Sequence, residues 1–139
     1  MKSYGYMYSS NDKIYFTSHI TFLSFLYASY LRVYYGMVVT AAVFLCSINY
    51  WRYPIHGTRR NIDIVNSVSC CLYQTWKSFS FPNTWLFLVV TYSGVGCYFL
   101  SRRTGLEHFH MAAHILGNIG NFILYRNTSL SAKQDPALE

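Results

Sequence analysis

Five apolar segments, separated by short polar stretches, make up most of this sequence. Four of them contain no lysine, arginine or aspartate, and they approach the roughly 17–25 residues that a helix needs to cross a bilayer. These four are Ile14–Leu31, Val33–Trp51, Trp85–Leu100 and Leu106–Leu124. A fifth segment, Ile62–Trp76, has more polar residues, and its one charged residue is Asp63. The pattern predicts five membrane-spanning helices; the alternative is four spans with a half-buried or re-entrant fifth segment.

Turn-forming residues predict where these helices end. Tyr53-Pro54 closes the second helix because proline cannot continue it, and Phe81-Pro82-Asn83-Thr84 opens the fourth. The first reversal is expected at Tyr34-Tyr35-Gly36. All the predicted connections are short, as in an antiparallel helix bundle.

Composition supports a chain that is solvated by lipid. Only 12% of its residues are charged, against about a quarter in soluble domains, and 53% are hydrophobic. The 139 residues are sufficient for one integral membrane domain, residues 1–139, with short polar termini at 1–13 and 127–139. The predicted fold class is therefore an all-α, polytopic transmembrane helix bundle, and the four cysteines are expected to be buried as small apolar residues.

The basic residues predict the orientation of the chain. With five spans, seven of the eleven lysines and arginines lie on the side of the N-terminus, which places the N-terminus in the cytosol or in the mitochondrial matrix. The expected location is an endomembrane or the mitochondrial inner membrane. The net charge of +6 is dispersed along span ends, so it indicates contact with lipid headgroups and argues against nucleic-acid binding.

A column of polar residues follows one face of the last segment. At helical spacing it consists of Glu107, His110, His114, Asn118, Asn121 and Tyr125. Polar groups at membrane depth usually face the interior of a bundle, so this column predicts a functional site or a set of contacts between helices. Asp63 has two interpretations as well: a functional carboxylate, or a residue in the first turn of its helix that interacts with the free amides there.

Ser47, His56, Asp63, His110 and His114 follow one another along the sequence. This order resembles that of the CREST superfamily of membrane proteins, which includes the alkaline ceramidases, the progestin and adiponectin receptors and the hemolysin III-like proteins. The resemblance implies that His56, His110 and His114 hold zinc. It also implies that Asp63 and Ser47 support an activated water that attacks a lipid amide.

Two classes of function stay open at this point. The small size, the many tyrosines and the minimal loops favour a non-catalytic accessory component of a membrane assembly, whose partners are the bilayer and other membrane subunits. The resemblance favours a minimal, metal-dependent membrane lipid hydrolase. The number of spans decides whether the candidate residues meet: with five spans Ser47, Asp63 and the histidines lie near the same membrane face, whereas with four spans much of the membrane separates Ser47 and Asp63 from His110.

Overall fold

The computed structural model describes residues 11–54 and 57–134, and in that part of the chain every regular element is a helix. The helices are α1 Asn11–Ser18, α2 Ile20–Tyr30, α3 Tyr34–Trp51, α4 Thr58–Ser78, α5 Thr84–Thr104 and α6 Glu107–Gln134. His19 alone separates α1 from α2, so these two form one rod. Five antiparallel rods result, and the predicted helix bundle is confirmed.

The apolar segments locate the helices correctly, whereas several helix ends differ from those predicted. The first reversal lies at residues 31–33, where Arg32 adopts a positive φ of 58°, and not at 34–36, which already belong to α3. Helix α4 begins at Thr58, four residues before the predicted start. Helix α6 continues to Gln134, so residues 127–134 of the expected polar terminus are helical.

Helices α5 and α6 form the closest pair, because glycine lets their backbones approach. A Cβ atom added at Gly120 would clash with Thr91 Oγ1, and one added at Gly94 would lie 3.2 Å from Leu116 Cβ. Helix α4 packs chiefly on α3 and makes few contacts with α5. The bundle is therefore tight between α5 and α6 and open between α4 and α5.

Polar residues occupy the middle of the bundle, between two apolar clusters. One cluster contains Phe87, Leu124 and Tyr125, and the other contains Ile14, Tyr50 and Trp51. Between them the amide of Asn118 ties α6 to α2: Ser24 Oγ donates to its oxygen, and its nitrogen donates to Thr21 Oγ1 at 3.4 Å. This contact joins the first rod to the last.

The surface of the bundle is rich in large apolar side chains, while its interior is rich in polar ones. In the described part of the chain, more polar than apolar residues are buried. The exposed set includes Tyr30, Tyr34, Val38 and Phe16, each at least 70% accessible. One helix among the described residues, α5, is long and apolar enough by itself to cross a membrane.

Candidate functional site

A cavity of about 440 Å³ lies inside the bundle, between α3, α4, α5 and α6. Four of the five site residues predicted from the sequence line it: Ser47 on α3, Asp63 on α4, and His110 and His114 on α6. The fifth, His56, lies outside the described residues. The antiparallel order of the helices explains the meeting, since α3 ends, α4 begins and α6 begins at the same end of the bundle.

Ser47 and Asp63 form a buried pair across the interface of α3 and α4. Ser47 Oγ donates a hydrogen bond of 2.8 Å to Asp63 Oδ1, and the two residues are 3% and 8% accessible. Because α4 begins at Thr58, Asp63 lies in the second turn of its helix, beyond the free amides of the first turn. The helix-start interpretation of Asp63 is therefore wrong, and its partner is a side chain of the neighbouring helix.

The two histidines of α6 lie one turn apart, with ring centroids 5.1 Å from each other. His110 is buried and contacts the rings of Trp51 and Tyr98, edge to face, at 4.9 and 5.4 Å. His114 Nε2 is inaccessible to solvent and has no hydrogen-bond partner within the described residues. A buried imidazole nitrogen without a partner is costly, so it points to a ligand or an ordered water in the cavity.

The described residues do not complete the metal site that the resemblance implies. His110 and His114 have the i, i+4 spacing of a metal-binding pair, and the unpartnered His114 Nε2 suits a ligand role. Within residues 11–54 and 57–134, however, no group of three histidine, cysteine, aspartate or glutamate side chains is placed to share one ion. A third protein ligand would have to come from outside these residues, where His56 lies.

Three further cavity residues were missed by the sequence analysis: Trp51, Arg60 and Arg102. Trp51 follows Ser47 by four residues and Arg60 precedes Asp63 by three, so helical spacing places each on the same face as its neighbour. Arg102 lies at the end of α5, where a basic residue was interpreted as a membrane-flanking charge. The spacing signal was present for Trp51 and Arg60, but Arg102 needed the tertiary structure.

The cavity opens sideways, through a cleft between α4 and α5. Val68 and Leu72 of α4 and Phe99 of α5 line the cavity and are 53–65% accessible, so the mouth of the cleft is apolar. At the end far from Asp63, the hydroxyls of Thr75 and Tyr92 lie 3.2 Å apart and bridge the two helices. The cleft therefore has a polar end, at Asp63 and the histidines, and a closed end at Thr75 and Tyr92.

Three of the four remaining residues of the polar column on α6 have structural partners. Glu107 forms an ion pair with Lys13 at 2.6 Å. Tyr125 accepts a hydrogen bond of 2.7 Å from Gln74 Nε2, which ties α6 to α4. Asn118 joins α6 to α2, as described above, and Asn121 lines the cavity. The column thus divides into residues that hold the helices together and residues that line the site.

The four cysteines are free. All four are half-buried, whereas the sequence predicted that they would be buried. Cys70 and Cys71 line the cavity, and Cys70 Sγ lies 4.0 Å from the carbonyl oxygen of Val39.

Comparison with protein-family models, with curated proteins and with solved structures finds no match to this chain.

Proposed function

We propose that this protein is a polytopic membrane protein whose five helical rods cross the bilayer, with the N-terminus on the cytosolic or matrix side. Two observations support this placement. Helix α5 is long and apolar enough to span, and the bundle buries polar side chains while it exposes large apolar ones. Lipid favours that distribution, since buried polar groups then bind each other and apolar groups face hydrocarbon.

We further propose that the cavity is the reaction centre of a CREST-like membrane lipid hydrolase. The observation that supports this most is the meeting of Ser47, Asp63, His110 and His114, from three helices, around one cavity with an apolar side entrance. A lipid amide could enter through the cleft and place its polar group at this end. Hydrolysis needs only water: the C–N bond breaks, a C–O bond forms, and the amine receives the proton.

The residues of the pair have distinct parts in this proposal. Ser47 Oγ donates its hydrogen bond to Asp63, so its lone pairs are free to accept a hydrogen bond from water or from a substrate amide N–H. Asp63 is fixed by that bond and can take a proton from an attacking water. A bound zinc ion would supply a Lewis acid that makes water a better nucleophile at neutral pH.

The test is hydrolysis of a fluorescent ceramide by the purified protein in detergent, with metal content measured on the same samples. Asp63→Asn should lower the rate roughly 100-fold or more, as expected for loss of a general base. Asp12→Asn, the same change at an exposed site on α1, is the matched control. His114→Ala should remove bound transition metal, whereas His108→Ala, an exposed histidine of the same helix, should retain it. Wild-type protein without metal and without hydrolysis would refute the hydrolase proposal.

A second candidate is an accessory subunit of a membrane assembly. One observation favours it: the outer face of α4 has no neighbour in the described bundle, and Val65 and Trp76 on this helix are 64% and 65% accessible. That face could pack against another membrane subunit as well as against lipid. Co-purification in mild detergent with a much larger complex would support this candidate, and a stable, isolated monomer would contradict it.

A further inference from the structure

We propose that the cavity holds one acyl chain of the lipid amide, parallel to the helices, and that Tyr92 and Thr75 limit the length of that chain. This inference rests on the proposed function for the position of the amide, beside Ser47 and Asp63. It adds which chains the site accepts and which residues decide this.

The cavity is elongated along the helix axes. Its lining residues recur at successive turns of three helices, within 63–74 of α4, 92–99 of α5 and 110–121 of α6. At a rise of about 1.5 Å per residue, the stretches on α4 and α6 each measure about 16 Å. The volume of about 440 Å³ lies in the range of roughly 300–1,000 Å³ that encloses one small ligand. These dimensions suit one extended chain.

The walls between the two ends of the cavity suit hydrocarbon. They include Val39 and Val43 of α3, Val68 and Leu72 of α4, and Val95 of α5. A chain that enters sideways through the cleft between α4 and α5 would therefore meet apolar side chains along its path. It would not have to cross water on its way from the bilayer.

Two of the polar residues in this stretch form their hydrogen bonds within the protein. Thr40 Oγ1 donates to the carbonyl oxygen of Gly36 at 2.6 Å, and the Asn118 amide bonds to α2 as described above. Thr91 Oγ1, which has no partner among the described residues, lies against Gly120 of α6. The polar groups proposed to hold the amide are at the other end, at Asp63.

Two hydrogen bonds between helices close the far end of the cavity, at one turn of α4. Gln74 Nε2 donates to the Tyr125 hydroxyl of α6 at 2.7 Å, and the hydroxyls of Thr75 and Tyr92 lie 3.2 Å apart. Adjacent residues of α4 thus hold one tyrosine from α6 and one from α5. Gln74 and Tyr92 themselves line the cavity, so a chain that reaches this level meets them.

The distance to this closed end matches an ordinary membrane chain. Thr75 follows Asp63 by 12 residues, which is about 18 Å along the helix. One leaflet of a bilayer contributes about 15 Å of hydrocarbon. A palmitoyl chain should therefore fit, whereas a much longer lignoceroyl chain should meet Tyr92.

Two positions allow the length limit to be moved in opposite directions. Tyr92→Ala removes the ring and its bridge to Thr75, so longer chains should fit. Gly117 lines the cavity seven residues after His110, about 10 Å along α6. A Cβ atom added at Gly117 meets nothing within 4 Å, so Gly117→Leu should shorten the space without displacing a helix.

Each of these variants has a matched control that does not line the cavity. Tyr30→Ala makes the same change at a tyrosine of α2 that is 82% accessible. Gly96→Leu makes the same change at an exposed glycine of α5, where an added Cβ atom also meets nothing within 4 Å. Both controls should keep the chain preference of the wild type.

The experiment measures displacement of radiolabelled palmitoylethanolamide from the full chain in maltoside micelles by unlabelled octanoyl-, palmitoyl- and lignoceroylethanolamide. Affinities are expressed as mole fractions in the micelle, and chromatography checks that the label is intact. Wild type should bind the lignoceroyl amide roughly ten-fold more weakly than the palmitoyl amide, because extra methylenes overfill a closed space. Tyr92→Ala should reduce this difference to less than about two-fold. Gly117→Leu should weaken palmitoyl binding roughly ten-fold and octanoyl binding less than about three-fold.

Each contrary result would overturn a defined part of the proposal. No saturable binding of palmitoylethanolamide, or equal binding of the palmitoyl and lignoceroyl amides to the wild type, would overturn the length limit. A difference that Tyr92→Ala leaves unchanged would overturn the role of Tyr92. Equal losses of octanoyl and palmitoyl binding in Gly117→Leu would overturn the path of the chain.

Thermal unfolding of every variant identifies misfolding, and Tyr92→Leu and Gly117→Ala are milder substitutes that should shift the limit in the same directions. The binding test does not require hydrolysis. A chain-length limit without ceramide hydrolysis would refute the hydrolase proposal alone, whereas hydrolysis without a chain-length limit would refute this inference alone.

Discussion

The hydrogen bond between Ser47 and Asp63 can be tested by deleting its donor. In the described chain Asp63 accepts this hydrogen bond and no other, and it is 8% accessible. Ser47→Ala removes the hydroxyl and leaves a buried carboxylate without a donor. The loss should exceed that of an ordinary serine hydroxyl, because a charged acceptor remains desolvated.

The expected magnitude follows from the kind of bond. A hydrogen bond to a charged group contributes about 1.5–3 kcal/mol, and a neutral one about 0.5–1.5 kcal/mol. Ser47→Ala should therefore lower the free energy of unfolding by about 1.5–3 kcal/mol in the wild type, but by only about 0.5–1.5 kcal/mol in an Asp63→Asn background. The difference between these two costs, about 1 kcal/mol or more, is the coupling energy of the pair.

The assay is reversible unfolding of the four proteins of this double-mutant cycle in detergent micelles at pH 8. Ser78→Ala is the matched control, because Ser78 is also buried but donates to the carbonyl oxygen of Thr75 in its own helix, at 2.7 Å. It should cost less than about 1 kcal/mol. Equal costs of Ser47→Ala with and without the Asp63 carboxylate would refute the pairing, and so would a cost no larger than that of Ser78→Ala.

Two further predictions concern packing and topology. Gly120→Ala should destabilise the protein by about 1–3 kcal/mol, because the new methyl group meets Thr91 Oγ1. Adding Thr91→Ala to this variant should relieve the destabilisation. Gly96→Ala, the control, should stabilise the protein by about 0.5–1 kcal/mol. Rescue is the informative result, since a destabilised Gly120→Ala protein that Thr91→Ala does not improve would contradict the close approach of α5 and α6. Reporter tags at the two termini should lie on opposite sides of the membrane, and two tags on the same side would contradict five spans.

The sequence by itself determined the secondary structure and its order. Long apolar runs, some of them bounded by Pro54 and Pro82, predict where the helices lie, because each run supports helical packing and each proline removes a backbone donor. The polar column of α6 was also readable, since residues three or four apart share a face. Helix ends were predicted less accurately: the first reversal lies at 31–33, where Arg32 takes the left-handed conformation, and nothing in its side chain indicates this.

Only the tertiary structure decided which faces meet. Helical spacing places Ser47 and Trp51 on one face of α3, yet it does not say that this face meets Asp63 on α4 and His110 on α6. The cleft also depends on the packing of the helices. It lies where α4 and α5 diverge, and they diverge because small residues draw α5 onto α6. Arg102 belongs to the cavity for the same reason. Periodicity is a property of one helix, whereas a site formed by four helices depends on the packing between them.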